Sequence, residues 1–376
     1  MTDLTTAIFA ASTAEAIGTV IALLGVVAVL VYAAFNVRAG RKEVGSELEL
    51  AANLKPYLDD DQLETKKLDR ALTAGLAGLV LVGVGLPAYW LGEPGRHEGA
   101  EEMYAETFVG RGEELYTTGA QCNACHGPEG VGGVASHTIL DADNEFVAQV
   151  NWEAPALDTV LLRYDRDEVY YVLEYGRPFS PMPAWGEGGG GPLTEQQLEN
   201  IIDYLASIQV SSEESKDAVE SQLRTQLGLG EDEDIDYTDL ATGEALFNLG
   251  QDNGFAGGAY SCGRCHTRGW SINAESAAPE TADLDLYVDY EDGSGGFGPP
   301  LDGVVPRQFA TLEELAQFLH VGSEDGVPYG LNGMGEQGQM PGFGDNPNTE
   351  EADDGMMTME MIEAIARYVE SLGEDG

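Results

Sequence analysis

Two five-residue patterns restrict this chain more than anything else in it: Cys122-Asn123-Ala124-Cys125-His126 and Cys262-Gly263-Arg264-Cys265-His266. They use all four cysteines, so no thiol is left over for a disulfide framework. Two thiols separated by two residues reach the two vinyl groups of one haem, and a histidine directly after the second thiol reaches the iron from the same side. A lone C-x-x-C also fits a dithiol redox pair or half of a zinc site. Two complete copies, each with its histidine, point instead to covalent haem attachment at Cys122, Cys125, Cys262 and Cys265, with His126 and His266 on the irons.

The flanks of the two motifs repeat as well. Gly112-Glu-Glu-Leu-Tyr116 precedes the first and Gly243-Glu-Ala-Leu-Phe247 the second, each at the start of a short helical pattern. Ala154-Pro155-Ala-Leu157 and Gly298-Pro299-Pro300-Leu301 follow, then a helical stretch ending at Gly176 or Gly322, then a methionine-proline pair. Each copy closes with an amphipathic pattern, over residues 194–208 and 358–372. Thr194 with Gln197 reads as a capping box. Tyr204 and Tyr368 hold equivalent places in the closing helices, where each ring can pack on the glycine of its opening helix.

This ordered set resembles the class I cytochrome c family, twice over, across about residues 103–373. The resemblance implies His126 with Met182 and His266 with Met340 as axial pairs. It also implies that the carbonyls of Pro155 and Pro299 accept hydrogen bonds from the proximal imidazoles, contacts that orient the ring and tune the iron. Pro181-Met182-Pro183-Ala-Trp185 is a stiff presenting loop, because its prolines narrow the available backbone. Met340-Pro341-Gly-Phe343 repeats the pattern, with Met334 and His320 as rivals for the second iron. His320 ends a helical stretch whose counterpart carries Glu174, which suggests a solvated or capping role. His97 and His137 read as surface loop residues, and Met356, Met357, Met359 and Met361 as packing of the closing helix.

Two apolar runs without a charge, about residues 16–35 and 71–91, match the ~20 residues needed to cross a bilayer. A buried helical hairpin is the other reading of such runs, but neither shows a polar face. Residues 36–70 hold seven of the eighteen lysines and arginines, which predicts a cytoplasmic loop. Both termini and both motifs then lie on the extracytoplasmic side of the cell membrane. A cleaved signal peptide would carry its positive charge before the apolar run, whereas here Asp3 and Glu15 come first.

The expected architecture is therefore mainly α, with an N-terminal two-helix transmembrane hairpin followed by two class I cytochrome c domains. Residues 1–98 form the anchor, 99–210 the first domain, 211–237 an acidic linker with a helical possibility over 215–227, and 238–376 the second domain. Insertions at 251–259 and 269–296 read as solvated loops or as a docking or haem-shielding flap. A formal charge of -48 excludes nucleic acid as a partner and fits a salt-adapted surface or a cation-rich docking partner.

Histidine and methionine together leave no open position on an iron, so the resemblance implies outer-sphere electron transfer without independent catalysis. No catalytic residue is assigned. The dihaem cytochrome c subunits of actinobacterial cytochrome bc complexes and of cbb-type oxidases share parts of this plan. The resemblance implies two covalent haems and respiratory partners: cytochrome b, the Rieske protein or a haem-copper oxidase. The alternative is the cytochrome subunit of a periplasmic dehydrogenase, reductase or peroxidase.

Overall fold

A computed structural model describes residues 20, 24–35, 37–38, 60–140, 143–177, 180–230, 232–272, 291–323, 327–331 and 340–373, with backbone alone along 93–98. The chain divides into two compact units, Met1–Pro94 and Gly95–Gly376.

The first unit contains an apolar helix α1 (Leu24–Phe35) and most of a 47-residue helix α2 (Leu68–Glu114). A π-helical turn, Gln62–Lys67, leads into α2. Among the described residues one helical stretch, Gln62–Gly92, is long and apolar enough to cross a membrane, with a mean hydropathy of 1.9 and no buried side chain in its apolar window. The run expected over 71–91 is thus the middle of a longer helix, and residues 60–70, expected as the end of a loop, are helical. Good helix formers explain the extension past residue 91: Ala100, Glu101, Glu102, Met103, Ala105 and Glu106 all favour the helix. His97 lies on this helical backbone, not in a loop. Most of residues 16–23 and of 36–59 fall outside the described residues.

The second unit holds two helical lobes built in the same order. The first runs from the end of α2 through α3 (Asn123–His126), α4 (Arg166–Tyr175) and α5 (Glu195–Ser207). The second begins with α6 (Ser212–Leu227) and continues through α7 (Leu240–Phe247), α8 (Gly263–His266), α9 (Leu312–Val321) and α10 (Met359–Ser371). Capping fixes several starts: Asp165 Oδ1 accepts from the Glu168 amide at 2.8 Å and Glu168 Oε2 accepts from the Asp165 amide at 3.0 Å.

In each lobe the opening helix crosses the closing helix at the expected glycine. A Cβ on Gly112 would sit 1.9 Å from the Asn200 carbonyl oxygen, and one on Gly243 2.4 Å from that of Ala364. The absent side chains let the rings meet, Tyr116 with Tyr204 at 5.1 Å and Phe247 with Tyr368 at 5.4 Å between centroids. Leu198, Ile201, Ile202 and Leu205 of α5 fill the first core. Met356, Met357, Met361, Ile362 and Ile365 fill the second, as expected of methionine used for packing.

Three departures from expectation tie the lobes together. Residues 133–140 and 146–154 form an antiparallel hairpin, β1 (Gly133–Leu140) and β2 (Phe146–Ala154), with Gly133 opposite Ala154. His137 is therefore a strand residue, half-buried edge-on to Trp152 at 5.5 Å. The expected linker carries α6, whose Val219 and Leu223 are fully buried in the second core, so it is structural and not a tether. The insertion 251–259 is exposed at residues 252–254 and packed on the first lobe beyond them: the Ala156 amide donates to the Ala256 carbonyl at 2.8 Å, and a Cβ on Gly257 would lie 1.9 Å from the Ala154 oxygen. Of the insertion 269–296, residues 273–290 lie outside the described residues.

Candidate functional site

Both motifs fold the same way: the first cysteine precedes a single helical turn that carries the second cysteine and the histidine, α3 and α8. The turn brings two thiols to one side and stands the histidine at its end. In each lobe the following segment then reaches the imidazole. His126 Nδ1 lies 2.8 Å from the Pro155 carbonyl and His266 Nδ1 lies 2.9 Å from that of Pro299. A carbonyl can only accept, so Nδ1 carries the hydrogen and Nε2 keeps its lone pair. Burial lowers the proton affinity of both rings, and the Arg264 charge adds to the effect at His126.

The methionine loops are held by matching contacts. The Arg177 amide donates to the Met182 carbonyl at 3.0 Å, and the Ser323 amide to that of Met340 at 2.8 Å. The Met182 amide donates to Ser180 Oγ at 3.2 Å, and the Met340 amide to Ser323 Oγ at 2.8 Å. Gly176 and Gly322, both at positive φ, end α4 and α9 against these loops: a Cβ would fall 2.7 Å from the Met182 oxygen and 2.8 Å from the Met340 oxygen. Met334 lies outside the described residues.

One cavity takes in His126, Met182, His266 and Met340 together with all four cysteines, and its empty volume, open mouth included, is about 1670 Å³. Its walls include Tyr116, Val169, Leu173, Trp185, Leu205, Phe297 and Phe343. A planar, largely apolar macrocycle fits such a lining, and the backbone leaves room for the ligand ring, since a Cβ on Gly298 would lie 2.5 Å from His266 Cε1. Burial pushes the Cys122 thiol up to about 11 and that of Cys262 up to about 12.

Sequence reasoning does not single out Arg163, Arg264 or Glu153, three of the charged residues that line this cavity. Arg163 donates through Nη1 to the Ala259 carbonyl at 2.5 Å and through Nη2 to that of Ala156 at 3.3 Å. Arg264 donates through Nη1 to the Gly257 carbonyl at 2.6 Å and to that of Glu153 at 3.0 Å. Glu153 is 2 % exposed, with Oε2 unpartnered. Burial pushes its carboxyl up to about 7 against the opposing pull of Arg264. No motif announces these residues, because each arginine takes one of its two carbonyl partners from the other lobe.

His320 is not solvated. It is 6 % exposed, with Nε2 2.9 Å from Asp353 Oδ1 and Nδ1 3.4 Å from Asp345 Oδ2, the latter without hydrogen-bond geometry. Two carboxylates hold it away from the lining of the cavity, which includes Met340 but not His320.

Residues 108–205 match the family model described as cytochrome C oxidase, cbb3-type, subunit III. The match spans the first motif, Met182 and most of α5, and supports a c-type cytochrome with covalently bound haem that transfers electrons. No curated protein and no solved structure matches the chain.

Proposed function

We propose that the chain is a membrane-bound dihaem cytochrome c that carries electrons in a respiratory chain, as a subunit between a quinol-oxidising cytochrome bc complex and a haem-copper terminal oxidase. The observation that carries this reading is the single cavity lined by both C-x-x-C-H motifs and both methionine loops. A c-type haem supplies one-electron chemistry when bound. The residues of this chain would do the rest: Cys122 with Cys125 and Cys262 with Cys265 would anchor the haems, His126 and His266 would offer Nε2 to the irons, and Pro155 and Pro299 orient the rings. Met182 and Met340 would offer thioethers to the irons, which would favour electron transfer over the open iron of a peroxidase and a higher potential. The stretch Gln62–Gly92, with α1 before it, anchors the protein in the cell membrane, and the basic loop predicts both lobes on the extracytoplasmic side.

The test is to purify the full chain from native membranes in mild detergent, count haems from the alkaline pyridine spectrum and identify the accompanying subunits. Two haems per chain, with cytochrome b and Rieske protein or an oxidase subunit, is the expected result. Recovery in the soluble fraction, or alone, would remove the integral-subunit reading, and one haem per chain would remove the dihaem reading.

A further inference from the structure

Position 264 lies between the two thiols of the second motif, where the first motif carries the exposed Ala124. The motif itself makes no use of a side chain there. Arg264 instead reaches into the first lobe. Its hydrogen bonds go to two neutral carbonyls, Gly257 at 2.6 Å and Glu153 at 3.0 Å. The amide of Glu153 is held from the same side, donating to the Ser271 carbonyl at 2.8 Å. The second lobe therefore grips the Glu153 residue at both its N–H and its C=O. Two residues further on, the Pro155 carbonyl takes the Nδ1 hydrogen of His126. The guanidinium of one motif thus fixes the strand end that orients the imidazole of the other.

The charge matters as much as the grip. Arg264 keeps its proton in proteins and hydrogen-bonds only to carbonyl dipoles, while burial pushes the neighbouring Glu153 carboxyl towards its neutral form, which weakens the opposing charge. That charge lies on the lining of the same cavity as Cys125 and His126. A fixed cation beside a metal site disfavours the more positive, oxidised state.

We infer that Arg264 of the second motif is a positioning and charge-tuning residue for the haem held by the first, fixing the Glu153–Pro155 segment and keeping a positive charge on the cavity that His126 lines. The inference rests on the dihaem reading above.

The experiment compares the full-length holoprotein with Arg264→Gln and Arg264→Lys by optical redox titration and by paramagnetic NMR of the oxidised form. The first-motif haem is identified as the one whose signals vanish in Cys122→Ser/Cys125→Ser. In R264Q the reduced-to-oxidised ratio of that haem at a fixed ambient potential should fall about tenfold, as expected for removing a nearby part-buried charge. Its histidine hyperfine shifts should change too. In R264K the ratio should stay near that of the parent while the hyperfine shifts change, because the charge is kept and the two-carbonyl grip is lost. A shift confined to the second-motif haem, or none at either, overturns the inference. A chain that attaches haem only at the first motif would retire the dihaem reading while the same R264Q shift still upheld this one. Attachment only at the second motif overturns both.

Discussion

The two lobes place a histidine, a proline carbonyl and a methionine loop in the same way, yet they brace that loop with different chemistry. In the first lobe the brace is Glu174, 9 % exposed, whose Oε1 accepts from the Gly188 amide at 2.5 Å. In the second, the equivalent residue is His320, set between Asp345 and Asp353. The surrounding backbone bonds are shared: the Trp185 amide donates to the Leu173 carbonyl at 2.9 Å and the Phe343 amide to that of Leu319 at 3.1 Å. The opening helices differ likewise. Tyr116 Oη donates to the Gly127 carbonyl at 2.7 Å, while Phe247 has no hydroxyl and the second lobe uses Tyr368 and Asn248 on Asp292, at 2.5 and 2.6 Å. What the backbone does is common to both lobes, and side chains are free to vary around it.

The largest expected effect tests the shared part. Gly112→Ala should cost about 3 kcal/mol and Gly243→Ala about 2 kcal/mol in denaturant melts, because each new Cβ would meet a backbone oxygen of the closing helix. Alanine tolerated at either glycine would mean that the helix crossing in that lobe is looser than in the other.

The variable part should cost less and unequally. His320→Ala leaves Asp345 and Asp353 facing a vacated site and should lose about 2 kcal/mol, with Glu174→Ala losing about 1 kcal/mol through the Gly188 amide. The far-red methionine band of the oxidised protein should drop by half in the first variant if the brace holds Met340. Equal losses would make the two braces interchangeable.

The smallest effect is a pH dependence that belongs to the seam between the lobes. Glu153 has a folded-state value of about 7 against an ordinary 4.5. Stability from this group is complete below about pH 4.5 and declines as pH rises through about 7, because the buried carboxyl must then ionise. After allowance for solvent screening the loss is about 1 kcal/mol. Thermal melts between pH 5 and pH 8 should show it, and Glu153→Gln should flatten the profile. An unchanged slope in that variant would take Glu153 out of the comparison.

The parts of this molecule visible in its sequence are those encoded locally or by repetition. The proline carbonyls meet the histidine rings that the family resemblance implies, Met182 and Met340 line the same cavity, and the glycine-on-ring crossings fall where the repeat places them. The β-hairpin went unread although Ala135, Ile139, Ala148 and Val150 form its inner face, since their cover, Ile272, lies far along the chain. Val219 and Leu223 of α6 stand four residues apart, an apolar stripe that the polar remainder of the segment conceals. His320, Arg163 and Arg264 take their roles from partners in distant segments, which no local pattern can report.

The seam also bears on the order in which the protein matures. Ribosomes deliver Cys122, Cys125 and His126 long before Ser271 and Arg264 exist, and the Glu153 peptide has no grip until they arrive. The His126 ring therefore acquires its final setting only when the second lobe has folded against the first, and a chain ending after α5 would leave the Glu153 peptide unheld.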